Sequence, residues 1–117
     1  TENKLMTEGL SRILSFENRP TAICCGNDRM AMNLYKLFNQ LGISIPEDIS
    51  VIGFDNYTMI SELLEPRLTT VELPYTEIGK RGGEKLLNFI QGDEEESEDL
   101  LETIPGEVIW RNSVKEI

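Results

Sequence analysis

The sequence predicts an α/β fold, in which a parallel sheet is flanked by helices. Short apolar runs of strand length alternate with segments of helical periodicity, and Gly, Pro, Asn and Asp residues separate them. The predicted order of elements is α-β-α-β-α-β-α-β. Strands that alternate with helices in this way are typical of a parallel sheet with helices on its faces.

The first half of the chain holds two predicted helices and two predicted strands. A helix over residues 4–16 has its apolar side chains roughly on one face. Residues 21–25, TAICC, form a short apolar run that predicts a buried strand. The helix over residues 30–41 has the clearest periodicity, and Gly42 follows as a left-handed cap. Residues 49–54 are the second predicted strand, also buried.

The second half repeats the alternation. A short helix is predicted over residues 57–64, with Asn56 as its cap, and it stops before a proline. A strand rich in β-branched residues covers 68–73. A long helix runs from about residue 76 to residue 91, and a last short strand covers residues 107–110.

The charge of the chain is concentrated in one place. The net charge is −10, and seven of the 21 acidic residues lie within residues 93–102. Without that run the chain would hold 11 basic and 14 acidic residues, a net charge of −3. We interpret residues 93–103 as a solvated acidic loop. No cluster of Lys and Arg occurs, so the chain is not expected to bind nucleic acid by itself.

Several protein classes are disfavoured by what the sequence lacks. It has no apolar run long enough to span a membrane and no apolar signal core near its start. It does not begin with Met, from which we expect a fragment or a processed chain.

Cys24 and Cys25 are neighbours, and a bridge between them on a strand would be strained. We expect both to be reduced packing residues, as in a cytoplasmic protein.

No catalytic or metal-binding set is visible. The chain has no His, so its serines and threonines have no histidine to act as a general base. It contains neither a phosphate-binding loop nor the spacing of calcium ligands. We therefore predict that it is not an enzyme and that it uses no cofactor and no metal.

Polar residues follow the first two predicted strands. Gly26, Asn27 and Asp28 come after the first, and Asp55 and Asn56 come after the second. In open α/β sheets, ligands bind outside the carboxyl ends of the strands. Carboxylates and amides there suit a ligand with many hydroxyl groups. The alternative is that all four Asn and Asp residues are helix caps, and spacing alone does not decide between the two.

Several motifs occur in an order that resembles one known family. The motifs are PTAI (20–23), ND (27–28), GISIPEDISVIGFDN (42–56), PRLTTVELP (66–74) and IPGEVIWRNS (104–113). The most specific part is IPEDISVIGFD followed by PxLTTV at this spacing. The pattern is similar to the C-terminal portion of LacI/GalR-family bacterial transcription regulators, and it covers nearly the whole chain.

The resemblance implies a periplasmic-binding-protein-like fold with two lobes and a ligand cleft between them. Residues 1–72 and 105–113 would belong to the second lobe, and residues 75–92 to a crossover helix that packs on the first. In such proteins a small effector, here a sugar or sugar phosphate, shifts the lobes. An N-terminal helix-turn-helix, which this chain lacks, binds operator DNA. The alternative is a sugar-binding protein of a transport system, which has the same fold.

The resemblance also implies roles for individual residues. Asp55 occupies the place of an aspartate that binds sugar hydroxyls or a purine, and Asn27 that of a sugar-contacting asparagine. Tyr75 occupies a position where an aromatic ring often lines the cleft. Cys24 stands where a purine-binding relative has an aromatic residue, which argues against a purine.

A homodimer is implied as well. The helix over residues 30–41 and the short helix near Leu64 resemble the dimer surface of the family. The exposed candidates are Leu34, Leu37, Phe38, Leu41 and Leu64. The alternative is that these residues are part of the core.

Overall fold

The computed structural model describes residues 2–92 and 101–116, with side chains from Lys4 onward. Helices and strands alternate in the predicted order, and most are shorter than predicted. The predicted acidic loop falls mainly on residues 93–100, which lie outside the described residues. The elements are α1 (Glu2–Leu14), β1 (Ala22–Cys24), α2 (Asp28–Leu41), β2 (Ser50–Ile52), α3 (Thr58–Ser61), β3 (Thr70–Glu72), α4 (Tyr75–Gln91) and β4 (Glu107–Ile109).

The four strands form two hydrogen-bonded pairs. β1 pairs with β2 in parallel, with Ile23 opposite Val51, and β3 neighbours β4. Isolated parallel bridges join Ile52 to Thr69 and Asp55 to Glu72. Because these bridges extend β2 towards β3, the strands that follow one another in sequence are also neighbours in space. The predicted parallel sheet with flanking helices is confirmed.

The core lies between α2 and the sheet. Ile49 and Val51 are fully buried, so the predicted burial of the second strand is confirmed. The prediction that the first strand is buried was wrong. Ala22 and Cys24 are exposed and Ile23 is half-buried, because β1 has a strand neighbour on one side only among the described residues.

Two of the five predicted dimer residues are core residues. Leu34 is 4% exposed and Phe38 is 1% exposed, so the prediction that they form an exposed surface was wrong. The apolar stripe of α2 that contains them faces the sheet, which buries it. Leu37 and Leu64 are half-buried and pack against this core. Leu41 is 54% exposed.

The two cysteines have different environments. Both are free; Cys25 is partly buried against the core and Cys24 is exposed. The expectation that both are packing residues was therefore wrong for Cys24, whose strand lies at the sheet edge. Burial raises the pKa of the Cys25 thiol to about 11, with smaller contributions from Cys24 and Asp28.

The chain divides into two compact units. One comprises Thr1–Glu72 and Val108–Ile117, and the other comprises Leu73–Glu107. In the second unit, Arg81 of α4 binds Glu77 at 2.8 Å and Glu102 at 2.7 Å. No side chain of α4 is buried.

None of the described helices has the length and apolar character needed to cross a bilayer.

Candidate functional site

A cavity of about 360 Å³ lies where residues after β1 meet residues after β2. It brings together Asn27 and Asp55, two of the predicted ligand-binding residues. Tyr75, the third, is the first residue of α4 in the other compact unit and is 65% exposed. The cavity is lined by Asn27, Arg29, Asp55, Tyr57 and Ile60.

A larger cavity, of about 530 Å³, lies elsewhere in the same unit. Its lining includes residues 43–45, which precede β2, and residues 63–66, which precede β3. It is therefore near the amino ends of these strands. Because ligands of open α/β sheets bind at the carboxyl ends, we regard the smaller cavity as the candidate site.

Asn27 is the N-cap of α2. Its Oδ1 accepts a hydrogen bond of 2.8 Å from the backbone N–H of Met30. The cap interpretation of Asn27 is therefore confirmed. It does not remove Asn27 from the cavity, because the cap uses only the carbonyl oxygen of the amide and leaves the NH₂ group at the other branch.

Asp28 is neither a cap nor an exposed ligand. It is the first residue of α2 and is fully buried. Its Oδ1 accepts from the Thr70 hydroxyl and its Oδ2 accepts from the backbone N–H of Tyr57, both at 2.7 Å. Asp28 thus joins the start of α2 to β3 and to the residue before α3.

Gly53 gives Asp28 the space it needs. A Cβ at Gly53 would lie 2.1 Å from Asp28 Oδ1 and 2.8 Å from Leu68 Cδ2. Both distances are far below van der Waals contact, and Asp28 and Leu68 are themselves fully buried. The glycine of the VIGFD segment is therefore required by the close approach of the Asp28 carboxyl group.

Asp55 and Asn56 have left-handed backbone conformations. The φ angles are 99° for Asp55 and 47° for Asn56, a region that residues other than glycine occupy rarely. The backbone N–H of Asp55 donates to the carbonyl of Val71 at 2.9 Å. Strained conformations of this kind occur preferentially at functional sites, where surrounding contacts maintain them.

Asn56 does not cap α3, so that prediction was wrong. The N-cap is Tyr57, which makes no side-chain cap bond. Asn56 Oδ1 accepts from Arg111 Nη2 at 2.9 Å and from Ser61 Oγ at 3.2 Å. Its Nδ2 donates to Glu72 Oε1 at 3.3 Å. The Asn56 side chain therefore ties the loop after β2 to its neighbours.

Arg111 is a structural contributor that the sequence analysis did not identify. Its side chain is 11% exposed and lies 3.6 Å from Glu62 Oε1. It also donates to the Leu68 carbonyl at 2.8 Å. Its bond to Asn56 joins residues 55 positions apart in the chain, and a contact of this range leaves no local sequence pattern.

The electrostatics of the site centre on two carboxyl groups. Burial raises the pKa of Asp28, and the hydrogen bonds from Thr70 and Tyr57 oppose that rise. The neighbouring Asp55 carboxyl group raises the pKa of Asp28 further. Asp55 Oδ1 is itself buried, and no described residue donates a hydrogen bond to it.

The site has the chemistry of hydrogen-bond recognition. Within residues 2–92 and 101–116, no group of three or more Cys, Asp or Glu side chains is arranged to hold a metal ion. The cavity offers the Asp55 carboxyl group, the Asn27 amide and the Arg29 guanidinium group beside the partly apolar walls of Tyr57 and Ile60. Such a lining suits a small polar molecule with several hydroxyl groups.

Comparisons with known proteins agree with this architecture. The family of periplasmic binding protein-like domains matches residues 1–114. An HTH-type transcriptional repressor PurR from Vibrio vulnificus is 44% identical over 106 residues. That match covers 91% of this chain and 31% of the relative. The chain thus spans about a third of the length of this repressor.

Solved structures give the same result. A LacI-family transcriptional regulator from Enterococcus faecalis with bound ribose is 34% identical, with a TM-score of 0.73 over 92% of this chain and 38% of that one. A regulator of this family from Rhizobium etli is 36% identical, with a TM-score of 0.68 over 88% of this chain and 36% of that one. The chain therefore belongs to the periplasmic binding protein-like domains of LacI-family transcriptional regulators, as part of the effector-binding domain.

Proposed function

We propose that the cavity lined by Asn27 and Asp55 is the effector site of a transcriptional repressor and that it binds a sugar. The observation that carries this proposal is the position of Asp55. Its carboxyl group lines a cavity at the carboxyl end of β2, on a backbone with a φ of 99°. A helix cap does not need this conformation, and backbone conformations of this kind occur preferentially at functional sites.

The lining residues make different kinds of contact with the ligand. Asp55 accepts hydrogen bonds from ligand hydroxyl groups, and the NH₂ group of Asn27 donates one, because its oxygen serves the helix cap. Tyr57 and Ile60 cover the apolar face of the sugar. Tyr75, an exposed aromatic residue of the other compact unit, stays a predicted contact.

Arg29 would favour a sugar phosphate over a neutral sugar as the ligand. It is an exposed cation in the lining of the same cavity as Asp55. A phosphate group would find a bidentate partner in its guanidinium group, whereas a neutral sugar would not need it. Ribose is bound in the Enterococcus faecalis regulator, which supports a pentose as the first ligand to test here.

We further propose how binding is transmitted. Residues 1–72 and 105–113 are assigned to the second lobe and residues 75–92 to a crossover helix on the first. The effector shifts the population of lobe arrangements that the DNA-binding part of the longer protein reads. Operator DNA is bound by a helix-turn-helix of that longer protein, in a cytoplasmic homodimer. Of the proposed dimer residues, Leu41 is the most exposed, and Leu37 and Leu64 are half-buried.

The test uses the full-length protein with the change Asp55→Ala. We expect operator binding to persist and the response to effector to be lost, measured by fluorescence anisotropy of labelled operator DNA with and without the effector. Glu17→Ala removes an exposed acid outside the cavity and should respond as the wild type does. An unchanged response in Asp55→Ala would refute the assignment.

The ligand class is identified by a thermal-shift screen of the full-length protein with D-ribose, ribose 5-phosphate and adenine. Stabilisation by D-ribose, retained in Arg29→Gln, indicates a neutral sugar. Stabilisation by ribose 5-phosphate that Arg29→Gln abolishes indicates a sugar phosphate. Stabilisation by adenine alone would overturn the sugar proposal in favour of a purine.

A further inference from the structure

Asp28 lies against the loop that carries Asp55. Asp28 is fully buried, and its backbone N–H donates at 3.0 Å to the carbonyl of Phe54, the residue before Asp55. Asp28 Oδ1 accepts a hydrogen bond from the Thr70 hydroxyl, and Asp28 Oδ2 accepts one from the backbone N–H of Tyr57. Asp55 Oδ1 is buried, and the described residues supply no donor to it. Two adjacent carboxylates in a buried position repel each other, and neither has a hydrogen to donate.

We propose that Asp28 and Asp55 share one proton and that Asp28 is thereby the positioning residue of Asp55. The proton resides on Asp28, and the resulting O–H donates a hydrogen bond to Asp55 Oδ1. This single proton supplies the donor for the buried oxygen, and it turns a repulsive contact into a hydrogen bond. The second oxygen of Asp55 remains an acceptor with its negative charge retained.

The environment decides which carboxyl group holds the proton. Asp28 is fully buried, and removal from water favours the neutral form of a carboxyl group, which places the proton on Asp28. Burial of Asp28 is also the largest cause of its raised pKa, ahead of the opposing effect of its two hydrogen bonds.

The other charged or titratable groups nearby do not replace this proton. Cys25 interacts with Asp28 but is neutral at physiological pH, since the pKa of its thiol is about 11. Arg111 donates to Asn56 and to the Leu68 carbonyl and pairs with Glu62. Glu72 accepts from Asn56. Arg29 lines the cavity, on the side where a ligand would lie.

The consequence for ligand binding rests on the proposed function, whereas the shared proton does not. Asp28 would hold the Asp55 carboxyl group in the direction that ligand hydroxyl groups need. Loss of the proton at higher pH would put two negative charges in contact and release Asp55 from this direction. Affinity for a hydroxylated ligand should then fall as the pH rises.

The first test needs no ligand. The melting temperature, Tm, of the full-length wild type is compared with that of Asp28→Asn between about pH 4 and pH 9. A carboxyl group with a raised folded-state pKa binds its proton more tightly when folded, so its stabilisation is present at low pH and is lost as the pH rises. The Tm of the wild type minus the Tm of the variant should therefore fall as the pH rises. The fall should be about 4 °C for each tenfold increase in the proton affinity of Asp28 on folding.

Glu72→Gln, which removes a neighbouring exposed carboxyl group, is the matched control and should keep the wild-type slope. A Tm difference that stays flat or rises with pH would overturn the proposal, since it would show an ionised Asp28. If Asp28→Asn fails to fold, the carboxyl ¹³C signals of aspartate-labelled wild type decide instead. A protonated aspartate at neutral pH that disappears in Asp55→Asn supports the shared proton, and its absence in the wild type refutes it.

The second test separates this inference from the proposed function. The dissociation constant of D-ribose is measured by calorimetry at about pH 6 and pH 8. We expect at least a threefold weakening in the wild type and none in Asp28→Asn. If the first test shows the shared proton but D-ribose does not bind, the shared proton stands and the proposed ligand is wrong. Binding with the same pH dependence in both proteins would retain the site and overturn the role of Asp28.

Discussion

The hydroxyl group of Thr70 donates a hydrogen bond of 2.7 Å to Asp28 Oδ1. Both residues are fully buried and lie 42 positions apart in the chain. The Thr70 hydroxyl oxygen also accepts from the backbone N–H of Asn56 at 3.3 Å. Thr70 does not line the cavity, yet it connects the two segments that do. The geometry of the candidate site therefore depends on β3.

Replacing Thr70 with Val tests this dependence. The change keeps the shape of the side chain but removes the donor to Asp28, so we expect a loss of about 2 kcal/mol in the free energy of unfolding. Urea unfolding followed by circular dichroism measures it. Thr70→Ser keeps the hydroxyl group and should lose only about 1 kcal/mol for the missing methyl group. Equal stability of Thr70→Val and the wild type would show that the bond contributes little.

Gly53 should tolerate no side chain. In Gly53→Ala the new Cβ would collide with Asp28 Oδ1 and with Leu68 Cδ2. Because both neighbours are buried and fixed, we expect a loss of about 3 kcal/mol in the free energy of unfolding. Gly26→Ala is the matched control, since its Cβ would lie at an ordinary 3.5 Å from Met30 Sδ. If the two variants are equally stable, the close approach at Gly53 is not a constraint.

The order of elements could be predicted because periodicity and turn residues are local signals. Helix α2 and the buried strand β2 follow directly from them. The burial of individual side chains could not be predicted with the same success. Leu34 and Phe38 lie on an apolar stripe that would serve a core or a dimer equally well. Only the position of the sheet shows that the stripe forms the core.

The candidate site was predictable in part for the same reason. The rule that ligands bind at the carboxyl ends of parallel strands correctly brought Asn27 and Asp55 together. The same rule could not reveal Arg111 or Thr70, whose bonds to the site cross 55 and 42 residues of sequence. Asp28 has the sequence pattern of a helix cap, and only its complete burial shows another role.

The two adjacent thiols should differ in reactivity. Cys24 is exposed, whereas Cys25 is partly buried and the pKa of its thiol is raised to about 11. Since the thiolate is the reactive form, only about one in a thousand Cys25 side chains is reactive at pH 8. We expect Ellman's reagent to label one thiol rapidly in the wild type and none rapidly in Cys24→Ser. Rapid labelling of Cys24→Ser, together with slow labelling of Cys25→Ser, would contradict this assignment.

Helix α4 should promote self-association of the 117-residue chain. Its apolar side chains include Leu86, which is 59% exposed, and Ile90, which is 69% exposed. These two residues lie four positions apart on one face of the helix. Covering such a face with a second copy removes apolar surface from water. We therefore expect the apparent mass in static light scattering to rise with protein concentration.

The double variant Leu86→Gln, Ile90→Gln tests the cause of that association. Burial of one such side chain contributes about 2 kcal/mol, so loss of the pair should weaken association at least about tenfold. Lys80→Gln changes an exposed residue of the same helix without altering the apolar face, and it should associate as the wild type does. A wild-type chain that remains monomeric at millimolar concentration, or a double variant that associates as strongly as Lys80→Gln, would exclude this face as the cause.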